Sequence, residues 1–176
     1  MRIISLGWGC QSFALAAMSA LSVLPPVDAA VHADTGHERA ETYAFAERWT
    51  PWLEERGVRV VTVKSRMAPF RFDTKQMFIP AYTVRLPGGE RGAMRRSCTD
   101  RWKISPVKRW IRTQIQKGDV VPTWIGITWD EAQRVNTANV SYQQLVHPFI
   151  EMFDRPMNRT DVIHWLTENN LEIPVK

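Results

Sequence analysis

The sequence predicts an α/β fold, a three-layer sandwich in which helices cover both faces of a mostly parallel central sheet. Two observations carry this. Short β-branched runs alternate with helical segments at residues 3–6, 13–21, 27–33, 40–56 and 58–63, the spacing of parallel strands joined by crossovers. Polar or glycine-bearing loops follow the strands, as in open sheets that bind ligands beyond their carboxyl ends. The length of 176 residues and 44% hydrophobic content suit one domain with a sizeable core.

In chain order, Ile3-Ile4-Ser5-Leu6 is the first strand, Gly7-Trp8-Gly9-Cys10-Gln11-Ser12 a turn, and residues 13–21 an apolar helix stopped before Pro25-Pro26. Residues 27–33 form a second strand ending in Asp34-Thr35-Gly36-His37-Glu38. The next helix, 40–56, places Tyr43, Ala46, Trp49 or Thr50, and Leu53 on one face; Pro51 implies a kink or break and Gly57 a stop. Residues 58–63 make a third strand. An irregular insertion at about 64–95 reads as a loop and hairpin turning at Pro87-Gly88-Gly89, within a single domain spanning 1–176. Ser105-Pro106 reads as an N-cap with proline at the first helical position, for a helix ending near Gly118 with Ile104, Val107, Ile111 and Ile115 on one face. Residues 120–128 are a strand candidate. His147-Pro148 reads as extended, and Asn158 or Thr160 opens a last helix to about Asn169.

Composition excludes several classes of function. The run 13–24 is interrupted by Ser19 and Ser22 and is shorter than the roughly 20 apolar residues of a membrane span. The start carries no secretory leader, so the expectation is a cytoplasmic protein without a membrane partner. Cys10 and Cys98 are far apart, which leaves no disulfide framework, zinc ribbon or iron–sulfur cluster. His32 and His37 belong to a strand and its following loop and are not expected to share a metal. Charge is concentrated at 91–117, where Arg91, Arg95, Arg96, Arg101, Lys103, Lys108, Arg109, Arg112 and Lys117 face a single acid, Asp100. The rest of the chain is net acidic, so this block is either a solvated helix face or a surface for nucleotide phosphates or nucleic acid. Trp102 and Trp110, among these cations, are packing residues or base-stacking rings.

The first turn offers an anion cradle: glycines admit a phosphate, helix-start N–H groups donate to it, and the Ser12 hydroxyl joins them. A glycine turn packed by Trp8 is the alternative. The loop is neither a Walker A sequence nor a GxGxxG fingerprint.

Residues 5–12 resemble the PP-loop (SGGxDS) of the phosphoadenosine phosphosulfate (PAPS) reductase and ATP-pyrophosphatase families, within the adenine nucleotide alpha-hydrolase-like fold. A branch common in phage genomes, with a loop of the form SxGxGxQS, is especially similar. Asp34-Thr35-Gly36-His37-Glu38 with Thr42 resembles that family's DTGxE…T segment, and Arg96-Ser97-Cys98-Thr99 with Trp102-Lys103-Ile104-Ser105-Pro106 its CT…KIxP element. Residues 125–134 are similar to GIxxDExxR, and 147–151 to PLIE.

The resemblance implies ATP or a related adenine nucleotide, such as PAPS, with reaction at the α-phosphate or on a sulfonucleotide, and a connection to nucleic-acid sulfur modification. It assigns Ser12, Asp34 and Glu38 to the chemistry. Ser5, Gly7, Gly9, Gln11, Ser12, Asp34, Thr35, Arg96, Lys103 and Arg109 would hold the nucleotide. Gln11 replaces the family's aspartate, removing one carboxylate that would order magnesium, and Trp8 replaces a glycine and is expected to narrow the approach. Asp34, Glu38, Asp130 and Glu131 remain as oxygen ligands for Mg²⁺, against capping or loop roles. The reductases use a cysteine near the C-terminus, and none follows residues 171–174 here, so the expectation is nucleotide binding without that thiol. Cys98, beside Arg95, Arg96 and Arg101, is a candidate nucleophile or a packed thiol. The alternative is a catalytically reduced accessory module that binds nucleotide, or nucleic acid through 91–117. Oligomerisation is left open.

Overall fold

Ile3–Leu6 forms β1, and its two faces are both dry: Ile3 and Ile4 are fully buried on opposite sides, as expected of a strand at the centre of a parallel sheet. The computed structural model describes residues 1–65, 82–83, 92–93 and 99–175. β2 (Ala29–Asp34) and β3 (Val60–Lys64) lie on one side of β1, and β6 (Val121–Trp124) and β7 (Gln143–Val146) on the other. The order is β3-β2-β1-β6-β7, with every pairing parallel. β4 (Tyr82–Thr83) and β5 (Gly92–Ala93) pair antiparallel, as a hairpin in the 64–95 insertion requires; the turn at residues 87–89 lies outside the described residues.

Helices cover both faces of this sheet. α1 (Cys10–Ala20) is apolar almost all round because it is enclosed by the sheet and two neighbouring helices, α2 (Ala40–Glu54) and α5 (Arg159–Glu168). Phe13, Leu15, Phe45, Leu53, Val162 and Leu166 join Ile4 and Leu6 in this core. On the opposite face α3 (Ser105–Gln114) sets Val107 and Ile111 against Ile3, Val31 and Val121. The three-layer sandwich is therefore as expected, with a sheet that is parallel throughout.

Several local expectations change. α1 begins at Cys10, three residues early, so Gln11 and Ser12 belong to its first turn and not to the preceding loop. In α2 the buried residues are Thr42, Phe45 and Leu53, with Ala46 and Trp49 packed against the core, so the expected stripe holds at Ala46, Trp49 and Leu53 and fails at Tyr43, which is exposed. Pro51 stays inside the helix. Gly57 ends the segment at φ 83°, which lets the Val58 N–H return to the Leu53 carbonyl at 3.0 Å. Ser105 is not an N-cap: a wide π-type turn over Asp100–Ile104 runs straight into α3, and the Ser105 hydroxyl donates to Asp100 at 3.2 Å. Ile104 is exposed, off the face it was assigned to.

The strand expected at 120–128 stops at Trp124, and residues 129–134 form a 3₁₀ turn. β7 has no counterpart among the sequence expectations. Pro148 starts a short helix, α4 (Pro148–Glu151), in place of an extended segment, and His147 has a partner there in Glu151 at 3.1 Å. Asn158 opens α5 with a reciprocal capping box to Asp161. No helix among the described residues is long and apolar enough to cross a membrane.

Candidate functional site

The connections from β1 run outward through β2 to β3, whereas β6 and β7 lie on the other side, so the sheet has a switch point between β1 and β6. The loops leaving these two strands diverge at their carboxyl ends and leave an open crevice. A cleft of about 350 Å³ occupies this place, lined by Gly7, Gly9, Cys10, Gln11, Ser12, Lys103, Gly126, Glu131, Arg134 and Arg159.

One wall is the start of α1. Gly9 is its N-cap and supplies no side-chain cap, so the first-turn N–H groups lack the partner that a serine or aspartate there would give. Ser12 stitches the loop together instead: its Oγ accepts from the Gly7 N–H at 3.1 Å and donates to the Gly9 carbonyl at 3.2 Å. Trp8 is the residue whose backbone makes the bend, at φ 56°. The left-handed conformation turns its indole into the core beside Phe13, Phe45 and His32, where Trp8 is 2% exposed. Trp8 therefore does not narrow the approach.

The opposite wall comes from the segment after β6. Gly126 lies so close to α1 that an added Cβ would stand 2.9 Å from both the Gln11 carbonyl carbon and the Ser12 nitrogen. The close approach that only glycine permits is thus here, whereas at Gly7 a Cβ would meet Ser12 Oγ at an ordinary 3.7 Å. Beyond Gly126, Glu131 receives the Gln11 amide at 3.2 Å and Arg134 at 2.7 Å. Asp130 accepts from the Arg159 backbone N–H at 2.9 Å; burial acts to raise its pKa, and hydrogen bonds of this kind outweigh that and hold it low.

Lys103 enters from the π-type turn, which Ser65 ties across the ends of β2 and β3 through the Arg101 carbonyl at 3.1 Å. Trp102 is buried beneath it. Lys103, Arg134 and Arg159 thus line the cleft at the positive end of α1, with Glu131 as the one carboxylate among its lining residues and Glu38 paired to Lys103 at its edge.

Of the residues expected to bind nucleotide, Gly7, Gly9, Gln11, Ser12 and Lys103 line the cleft. Asp34, Thr35 and Glu38 form a hydrogen-bonded loop beside it, joined to it by the Lys103–Glu38 ion pair at 3.2 Å. Asp34 accepts from the Gly36 N–H at 2.8 Å and the Tyr43 hydroxyl at 2.9 Å, with Lys64 at 3.4 Å. Burial works to raise its pKa, but these three partners prevail and the carboxyl titrates below its ordinary value. A carboxylate with a lowered folded-state pKa adds stability above its unfolded pKa of about 3.9, and that stability is lost as pH falls through the folded value. Asp34→Asn is therefore expected to lower Tm at neutral pH, with the gap to wild type closing below about pH 4. A gap that stays constant down to pH 2 would show that Asp34 contributes through its shape alone.

Ser5 and Arg109 do not line the cleft, and Arg96 and Cys98 lie outside the described residues. Among the described residues of the basic block, Lys103 lines the cleft, Lys108 bonds Asn139, and Arg112 lies over the Tyr142 ring at 5.4 Å. Gly126 and Arg134 open and close the stretch likened to GIxxDExxR but were given no role at the site, and Arg159 was not singled out from sequence. Arg159 carries a readable oddity, a cation in the first turn of a helix, where the dipole disfavours it unless an anion is near. Cys10 is in the core, and burial pushes its thiol pKa up, so it is a packing residue.

The carboxylates considered for magnesium are each engaged elsewhere: Asp34 with Lys64, Glu38 with Lys103, Glu131 with Arg134, and Asp130 with the Arg159 N–H. Among the described residues no three His, Cys, Asp or Glu side chains gather as a metal-binding group.

The family model described as "Phosphoadenosine phosphosulfate reductase domain" matches residues 2–175. A crystal structure of phosphoadenylyl-sulfate (PAPS) reductase from Candida auris, a phosphate complex, is similar in fold, with a TM-score of 0.63. That likeness covers 97% of this chain and 74% of the other at 14% identity. No curated protein matches the sequence.

Proposed function

The chain belongs to the phosphoadenosine phosphosulfate reductase domain family, and from that premise we propose that the cleft takes the phosphate end of an adenine nucleotide or sulfonucleotide. The observation that carries this reading is the meeting of Lys103, Arg134 and Arg159 at the uncapped start of α1. Backbone N–H groups donate to phosphoryl oxygens, and the three cations offset the ligand's charge without rearrangement of the sheet. Such a site stabilises charge that develops on the α-phosphate or sulfonate as a bond to it breaks. The loop of the SxGxGxQS form aligns the protein, in this reading, with the phage-type branch, and nucleic-acid sulfur modification supplies a setting for that chemistry. Arg134 and Arg159 take the part assigned from sequence to Arg109, and Ser12 acts through the shape of the loop. Asp34, Thr35 and Glu38 hold Lys103 and the edge of the nucleotide site.

The test is a calorimetric screen with ATP, AMP, PAPS and adenosine phosphosulfate, followed by product analysis for pyrophosphate, AMP and sulfite. Binding with Kd below about 1 mM is expected, weakened roughly tenfold or more by Lys103→Met or Arg159→Met, since hydrogen bonds to charged groups contribute about 1.5–3 kcal/mol. Absence of binding by all four ligands would overturn the reading. Salt-sensitive binding of oligonucleotides, with no product released from any nucleotide, would favour the accessory-module alternative, acting through the cations of 91–117.

A further inference from the structure

Resting on the anion-binding reading of the cleft, we propose that Glu131 is an internal competitor for its own site, a carboxylate that an incoming phosphoryl group must displace from Gln11 and Arg134. Glu131 Oε2 receives the Gln11 amide at 3.2 Å and Oε1 the Arg134 guanidinium at 2.7 Å, while Gln11, Glu131 and Arg134 all line the cleft. Gln11 belongs to the first turn of α1, so the carboxylate is held where a helix start favours negative charge, the place where a ligand anion would gain most. Two of the cleft's donor side chains are thereby occupied before a ligand arrives. The turn carrying Glu131 is broken at that residue, at φ −112° and ψ 16°, so its backbone leaves the helical path at the point where the carboxylate meets Gln11. Side-chain exposure of 26% for Glu131 and 61% for Arg134 leaves both able to change rotamer without disturbing the core.

The consequence is a threshold on affinity. A phosphoryl dianion brings more charge and more acceptor oxygens than one carboxylate and takes Arg134 and the Gln11 amide from it. A ligand without an anionic group does not compete at all. Glu131 therefore selects for anions by occupying their donors in the free protein.

The experiment compares wild type with Glu131→Gln and with the double variant Glu131→Gln/Arg134→Met, titrated calorimetrically with AMP, inorganic phosphate and adenosine, with thermal melts to verify folding. Glu131→Gln keeps the size of the side chain and an acceptor for Gln11 but removes the charge. It is expected to bind AMP and phosphate roughly three- to tenfold tighter and adenosine unchanged, with the gain lost in the double variant. Glu131→Ala should shift affinity in the same direction. If wild type binds AMP but neither Glu131 variant binds it more tightly, the competitor role is overturned and the nucleotide reading stands. A phosphate gain in Glu131→Gln, with AMP held no better than phosphate, would keep the competitor role and remove the nucleotide reading. No binding of AMP or phosphate by any of these proteins would overturn both.

Discussion

Trp8→Ala is expected to destabilise the protein by about 3–5 kcal/mol, the range for emptying a large aromatic from a packed core, with a fall in Tm of roughly 6–20 °C. The indole is 2% exposed and has ring neighbours at 6.5 Å (Phe13), 6.4 Å (His32) and 6.1 Å (Phe45), so its removal opens a cavity where β1, α1 and α2 meet. A second substitution separates packing from backbone. At φ 56° any residue with a Cβ is strained, so Trp8→Gly loses the same ring but regains about 1 kcal/mol, and is expected to be the more stable of the two variants. Denaturant unfolding monitored by circular dichroism measures both. If Trp8→Ala unfolds like wild type, the ring is not part of the core and the open cleft beside it would have to be redrawn.

Gly126→Val is expected to end nucleotide binding, with affinity falling by at least tenfold. The first atom of the new side chain would stand 2.9 Å from two backbone atoms of α1, and neither is the flexible end of a side chain. The start of α1 must shift, which misplaces the N–H groups that meet the phosphate; losing one hydrogen bond to a charged oxygen is worth about 1.5–3 kcal/mol. Overpacking adds a stability loss of about 1–3 kcal/mol. Gly126→Ala makes the smaller version of the same test, because it adds only the clashing atom. Binding of ATP by either variant at wild-type affinity would remove the Gly126–α1 contact from the site.

These two residues mark the limit of what local sequence shows. Trp8 is visibly large and visibly in a loop, but whether an indole in a glycine turn fills the turn or leaves it depends on one dihedral angle, which no periodicity reports. Gly126 is the mirror case. Nothing in Ile125-Gly126-Ile127 distinguishes a bend from a strand, and the need for glycine arises only because the start of α1, more than a hundred residues earlier, lies against it. β7 escaped for a related reason: Gln143-Gln144-Leu145-Val146 has no alternation of its own and becomes a strand by pairing with β6. Tyr43 shows a smaller error: the sequence pattern puts it on the inner face of α2, but Thr42 and Phe45 are the residues buried at that end, while Ala46, Trp49 and Leu53 pack inward as expected.

What local pattern did determine was the order and kind of the main elements, because β-branched runs, proline stops, the Asn158 cap and Gly57 act over a few residues and need no distant partner. The family resemblance drew on the same local segments, and five of its nucleotide-site residues do line the cleft: Gly7, Gly9, Gln11, Ser12 and Lys103. Tertiary structure alone decided which loops face one another. The reversal of strand order between β1 and β6 brings Arg134 and Arg159 to the start of α1 and leaves Asp34 and Glu38 beside the cleft. An anion site is a sum of fields from groups far apart in the chain, and those fields add only once the sheet has set the distances between them.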